Sequence, residues 1–542
     1  MGESAGTGEL IALALQRAGT RHLFTLNGGH IWGVLLGALE HGIGLIDVRH
    51  EQTAAFAAEG WSKLTRECGV AAVTAGPGVT NTVSAIAGAW ANDSPMLLIG
   101  GRSPLSTEGM GSLQELDHLP ILGSITKSAV TVREADEVYA EVERALSTAL
   151  TPRTGPAYLD VPADVFFSGA EVPAPDGVHL PTDAVQGPDP EQVARAGDLL
   201  NRAQRPVIVA GSGVWWGRAE DELANVAEAA GIPAVLNGLA RGVLGPDHAL
   251  QATAGRRVAL GQADVVAVCG VPLDFRLGFG NPPVIAADAQ LIYIDVDDRR
   301  RHRAGAAALD GDIRRSLALL AERVEPCGRT EWIERVRIAS EESRRRDQEL
   351  AGSNKTPIHP GRLVAEIRAR LDPDAIVIGD GGDFVSFVGR MIESSRPGCF
   401  LEPGPYGCLG TGAGYAIAAR LAHPDRQVVL FSGDGAFGFS AIDFDTLVRH
   451  RLPVVCVIGN NGIWATEKHP MEEMLGAAVA ADLRAGTRYD LVAEALGAHG
   501  ELVEDPEQLG PAFERALKAG VPAVINVLTD PTAKYPRSAV LL

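Results

Sequence analysis

Apolar residues in this chain gather into short continuous runs, at 21–25, 42–51, 156–162, 205–210, 290–297, 427–432 and 454–459, rather than alternating with polar ones. Runs of that length without alternation are the pattern of strands covered on both faces of a parallel sheet. The stretches 52–62 and 441–451 have the length and spacing of helices, and a helix between two strands returns the second parallel to the first. The expected fold class is therefore α/β, built of strand–helix–strand units. Two polar stretches divide the runs into three sets. Residues 168–190 are rich in Pro, Asp and Gly, and residues 325–355 are highly charged and expected to form a helix plus a linker. Domains at 1–168, 190–325 and 356–542 follow. The absence of a short internal repeat or low-complexity tract argues against a solenoid.

A length of 542 residues suits about three domains, and 46% hydrophobic residues supply their cores. With 48 basic against 68 acidic residues the formal charge is −20, which disfavours nucleic acid or an anionic membrane as partner. No apolar run is long enough to span a bilayer and residues 1–7 lack signal-peptide features, so a cytoplasmic location is the expectation. Six cysteines, at 68, 269, 327, 399, 408 and 456, show no metal-ligand spacing and are expected to be mostly buried free thiols.

Candidate chemistry enters at the ends of two strands. Gly433-Asp434-Gly435 closes the run at 427–432, and Asn460-Asn461 closes the run at 454–459. Asp434 and Asn461, 27 positions apart, would then stand at the carboxyl ends of neighbouring parallel strands, where ligands of open α/β sheets bind. Mg²⁺ prefers hard oxygen donors and shares them with phosphates, so a carboxylate, an amide oxygen and a backbone carbonyl would clamp a cation and a diphosphate. Glycines let the backbone approach closely. Either motif alone is also an ordinary turn; the pair at this spacing carries the signal.

At these motifs the chain resembles the thiamin-diphosphate (ThDP) enzymes of the acetolactate synthase, benzaldehyde lyase and 2-hydroxyacyl-CoA lyase superfamily, over essentially its whole length. The resemblance implies three doubly wound domains: pyrimidine-binding, middle and diphosphate-binding. It implies ThDP and Mg²⁺ as cofactors, the metal held by Asp434, Asn461 and the Ile463 carbonyl, with Gly433, Gly435, Ala436 and Trp464 beside them. Arg49-His50-Glu51 matches the segment that carries the family's catalytic glutamate, so Glu51 would promote the imino tautomer of the aminopyrimidine. By itself an acidic residue there only favours a helix N-terminus. Residues 405–414 match the segment in which Leu409, a Met in many relatives, wedges the cofactor into its bent form and the Gly407 carbonyl accepts from the 4′-amino group. The small residues there also suit tight packing of the next helix.

Substrate residues are implied less uniformly. Gly29-His30 matches the active-site histidine of benzaldehyde-lyase-like members, giving His30 a proton relay to the substrate hydroxyl; a loop histidine otherwise makes a structural hydrogen bond. Leu113-Gln114 resembles the family's glutamine loop, which contacts substrate. Trp464 and Glu467 are expected on one helix, where Glu467 either serves as base for the 2-hydroxyl or pairs with Lys468 or His469. Residues 435–440 and the tail with Lys534 and Arg537 resemble the CoA lyases, the basic residues being suited to CoA phosphates. Residues 443–449 and 454–459 equally resemble benzaldehyde lyase. Gly211-Ser212-Gly213 lacks the full Gly-x-Gly-x-x-Gly fingerprint, so an ADP or CoA moiety is an option for the middle domain and tightly bound FAD is not expected. The resulting expectation is a small-molecule enzyme, homodimeric or homotetrameric, that reversibly cleaves a 2-hydroxyacyl-CoA to formyl-CoA and an aldehyde or ketone. The alternatives are an acetolactate-synthase-like decarboxylating carboligase and a benzaldehyde-lyase-like 2-hydroxyketone lyase. Intact Glu51, Asp434 and Asn461 argue against a non-catalytic paralogue.

Overall fold

The protein is described here by a computed structural model covering residues 4–174 and 186–535. Its first domain holds β1 (Ser4–Gly6), β2 (His22–Leu26), β3 (Gly44–Asp47), β4 (Gly69–Val73), β5 (Met96–Arg102), β6 (Ser128–Thr131), β7 (Pro156–Pro162) and β8 (Gly169–Glu171). Six of these make an all-parallel sheet in the order β3-β2-β4-β5-β7-β6, while β1 and β8 form a separate antiparallel pair. The middle domain follows with β9 (Pro206–Ala210), β10 (Ala234–Leu236), β11 (Val265–Cys269), β12 (Gln290–Asp295) and β13 (Ala307–Asp310), parallel in the order β10-β9-β11-β12-β13. The third holds β14 (Ile376–Asp380), β15 (Phe400–Leu401), β16 (Val428–Gly433), β17 (Val455–Asn460), β18 (His499–Val503) and β19 (Ala523–Leu528), parallel in the order β15-β14-β16-β17-β19-β18. These are three doubly wound α/β domains, and the first and third sheets share one strand order.

Three expected elements differ in extent. The run at 42–51 is a strand only to Asp47, because the His50 ring caps the next helix by accepting the Gln52 amide, which makes Glu51 the first residue of the helix Glu51–Thr65. The crossover expected at 441–451 starts earlier and is broken into Asp434–Ser440, a 3₁₀ turn Ala441–Asp443 and Phe444–Arg449. The break falls where the Asp443 carboxylate turns to the first domain, accepting from the Arg49 amide (2.8 Å) and the Thr53 hydroxyl (2.6 Å). The charged stretch forms the helix Thr330–Ala351, whose Trp332 and Val336 enter a core of the middle domain.

One core is shared between domains. The helix Glu51–Thr65 packs on Gly412–Ala422 of the third domain, with Phe56 and Trp61 in the same cluster as Tyr415 and Ile417. Small residues make this approach feasible: a Cβ on Gly414 would lie 2.7 Å from that of Phe56. A buried polar knot locks the pair, the Glu59 carboxylate receiving the Tyr415 hydroxyl (2.7 Å), Lys63 Nζ (2.9 Å) and Asn92 Nδ2 (2.8 Å). All six cysteines are free. Among the described residues no helix is long and apolar enough to cross a membrane.

Candidate active site

Two groups of residues form, each at the carboxyl edge of a sheet. In the third domain, Asp434 follows β16 directly and is almost completely buried. Its Oδ2 accepts the Gly462 amide at 3.0 Å, and Asn461 Oδ1 accepts the Ile463 amide at 3.1 Å. Burial pushes the Asp434 carboxyl up to about 6 against the opposing pull of the Gly462 and Gly435 backbone N–H groups. A buried carboxylate next to an amide oxygen and backbone carbonyls fits a hard cation such as Mg²⁺. Among the described residues no group of three or more His, Cys, Asp or Glu could hold a metal ion, so a cation here would rest on Asp434 with amide and carbonyl oxygens. Gly435 is required here, since a Cβ on it would sit 2.4 Å from the Trp464 ring.

Every third-domain residue expected at the cofactor lines one cavity of about 1760 Å³: Gly407 and Leu409, residues 433–436, and Asn461, Ile463 and Trp464. Leu409 is set by Asp380, at the end of β14, whose carboxylate accepts the Gly410 (3.0 Å) and Gly412 (2.9 Å) amides. Glu467 also lines this cavity. Its expected alternatives as partners are engaged elsewhere, Lys468 with Asp482 and His469 with the Pro531 carbonyl. Trp464 stands just before the helix Ala465–Leu475 rather than on it. The opposite wall comes from the middle domain and the helix Thr330–Ala351 and bears Arg241, Arg256, Arg257, Arg276, Arg344 and Arg346. The turn Gly211–Gly213 does not line it; its glycines allow close packing on Gly270 and Val271.

On the first domain, Glu51 is buried and its Oε2 accepts the Asn81 amide at 2.9 Å. His30 lies on the 3₁₀ turn Gly29–Ile31, with Nδ1 3.2 Å from the Thr74 hydroxyl, and burial lowers its pKa below the ordinary imidazole value. Thr74 in turn donates to Gln114 Oε1 at 3.4 Å, so the structure brings His30, Thr74 and Gln114 into one chain of polar contacts. The Gln114 loop is fastened by Glu115, whose carboxylate accepts the Gly111 and Ser112 amides, each at 2.8 Å. Gly29 and Leu113 are exposed. Thr74 and Asn81 were not expected; they flank the Gly76-Pro77-Gly78 turn that comes two residues after β4 and was not read from the sequence.

Among the described residues none from the first domain lines the cavity around Asp434, although the segment around Glu51 meets the third domain, where Arg49 and Thr53 hold Asp443 and Gln52 approaches Gly410. Lys534 is exposed and ion-paired with Glu473 at 2.6 Å, away from the cavity wall, although its neighbour Tyr535 does line the cavity. Arg537 lies outside the described residues.

Three doubly wound domains, with a carboxylate at a helix entry on the first and an Asp–Asn clamp on the third, define an enzyme that works through a bound diphosphate cofactor. Three family models fit the chain in order: "Thiamine pyrophosphate enzyme, N-terminal TPP binding domain" over 6–121, its central domain over 193–320 and its C-terminal TPP binding domain over 380–527. The chain belongs to the thiamine pyrophosphate enzymes, and ThDP is its cofactor. It is 51% identical, over 98% of its length and 97% of the relative's, to a Mycobacterium tuberculosis protein named acetolactate synthase large subunit IlvG. It is 34% identical to 2-hydroxyacyl-CoA lyase 2 of Homo sapiens (97% of this chain, 90% of the relative) and 30% identical to 2-hydroxyacyl-CoA lyase of Oryza sativa subsp. japonica (97% and 95%).

Proposed function

We propose that this enzyme reversibly cleaves the carbon–carbon bond of a 2-hydroxyacyl-CoA, releasing formyl-CoA and an aldehyde or ketone. The observation that carries the reading is His30, held by Thr74 and connected through it to Gln114. Asp434, Asn461 and the Ile463 carbonyl would hold ThDP through Mg²⁺, and the bound cofactor would supply a nucleophilic carbon. Cleavage next to a hydroxyl-bearing carbon requires that the hydroxyl proton be taken up, and a lowered pKa keeps the His30 imidazole in the neutral form able to take it. Gln114 orients the hydroxyl or carbonyl, and Glu467 faces the same reaction from the cavity side. A decarboxylating carboligase needs no such base in its first step, because CO₂ departs.

On the cavity wall Arg276 and Arg344 pair with Asp274 and Glu393, and Arg241 and Arg256 donate to backbone carbonyls, so support for the CoA assignment from this wall rests on Arg257 and Arg346, whose guanidinium groups suit phosphates. A second reading, the decarboxylating carboligase, is favoured by the 51% identical relative named acetolactate synthase. One assay separates them. Purified protein with ThDP and Mg²⁺ is given either pyruvate or a 2-hydroxyacyl-CoA; aldehyde and formyl-CoA from the thioester are expected. Acetolactate from pyruvate, with the thioester untouched, would reverse the order of the two readings.

A further inference from the structure

His118 and Asp160 form a buried pair behind the first-domain face, each with no exposed surface. His118 Nδ1 lies 2.9 Å from Asp160 Oδ1, and its Nε2 lies 3.1 Å from the Gly76 amide. A backbone N–H only donates, so Nε2 is the bare, accepting nitrogen and Nδ1–H points to the carboxylate. Asp160 is fixed by three further donors: the Tyr158 hydroxyl at 2.8 Å, Arg102 at 2.7 Å and the Thr131 hydroxyl at 3.2 Å. The ring is therefore anchored to the strands β5, β6 and β7, and only its Nε2 faces the turn.

Gly76 is the point at which the pair acts. Its φ of +56° suits glycine, and a Cβ there would lie 2.9 Å from the Gln114 carbonyl oxygen, so the turn and the glutamine loop touch through bare backbone. Gln114 itself is held at φ +58°. From Gly76 the chain passes through Pro77–Thr80 to Asn81, which holds Glu51, while Thr74, two residues earlier, bridges His30 and Gln114. Each candidate group of this face is reached from one turn, and His118 holds that turn's first amide.

We infer that His118, oriented by Asp160, is a positioning residue: by pinning the Gly76 amide it sets the Asn81–Glu51 contact and the placement of Gln114. The inference rests on the assignment of Glu51 to the cofactor's aminopyrimidine. A pair that only stabilised the fold would change how much protein folds, not the chemistry of each folded molecule.

The test is hydrogen–deuterium exchange at C2 of ThDP in the holoenzyme with Mg²⁺, followed by NMR and normalised to bound cofactor, for wild type, H118L, H118Q and E51Q. Leucine fills space without an acceptor, whereas glutamine extends an acceptor oxygen toward Gly76. Exchange in H118L should slow about tenfold or more at unchanged ThDP affinity, with most of the rate restored in H118Q. Wild-type exchange in H118L while E51Q is slow overturns the positioning role. Wild-type exchange in E51Q overturns the assignment of Glu51 and the inference with it. Should H118L fail to fold, H118Q against H118N makes the same comparison, because asparagine is one methylene shorter; equal rates in those two overturn the proposal.

Discussion

Glu51 and His30 sit on one face yet answer to different measurements. Glu51→Gln keeps the shape and the Asn81 contact but removes the charge, so C2-proton exchange should fall by orders of magnitude while ThDP affinity, set by the third domain, stays at the wild-type value. Exchange at the wild-type rate would remove Glu51 from its role. His30 titrates. Burial lowers its pKa from the ordinary value, so the neutral form persists down to that lowered pKa and is lost as pH falls through it. The acid limb of kcat/KM should therefore lie below about 6.5 and disappear in His30→Gln. A limb above that value that survives the substitution would belong to another group. At this scale the sequence was legible where a local motif sets a position, as for Glu51, Asp434 and Asn461, which stand at strand–helix junctions. It was not legible where a role depends on a contact between distant segments, as at Thr74, Asn81 and His118, whose neighbours in sequence say nothing of Gln114 or Glu51.

Among elements, the helix entry at Asp434 shows how packing overrides local pattern. Periodicity placed the crossover helix at 441–451, but helical geometry begins at Asp434 itself, where the backbone N–H groups of the helix entry partly offset the burial of its carboxylate. The residue after it is confined between that helix and Trp464. Gly435→Ala would put a methyl 2.4 Å from the Trp464 ring, so either the ring or the helix entry must shift. ThDP affinity measured by calorimetry with Mg²⁺ should drop about tenfold or more, approaching that of Asp434→Ala, in which the link between cation and protein is lost. Undiminished affinity in Gly435→Ala would show that the ring yields freely and that the turn does not depend on it. The seven apolar runs read from the sequence, by contrast, each became a strand, because runs buried on both faces leave little ambiguity; at 42–51, where His50 caps a helix, and at 290–297 the polar end made the run look longer than β3 and β12 are.

Across the whole molecule, the first and third sheets repeat one strand order, and each carries its candidate site residues at the carboxyl edge. No internal repeat is visible in the sequence, since what the two domains share is the path of the chain and not side chains. The two edges are incomplete separately. The cavity at Asp434 is walled by the middle domain, and no described first-domain residue enters it, although the same first domain packs tightly on the third through Glu51–Thr65. We expect Glu51 to reach the cofactor of another copy, so that a homodimer would be the smallest active unit, with a tetramer as a pair of these. Complementation tests this directly. Glu51→Gln and Asp434→Ala should each be inactive alone, but in a mixed dimer one site carries both lesions and the other carries neither. With random pairing half the dimers are mixed and each has one intact site of two, so co-expression should restore about a quarter of wild-type activity. No recovery on co-expression, or a fully active monomer in sedimentation at working concentration, would place Glu51 and Asp434 of one chain in the same site.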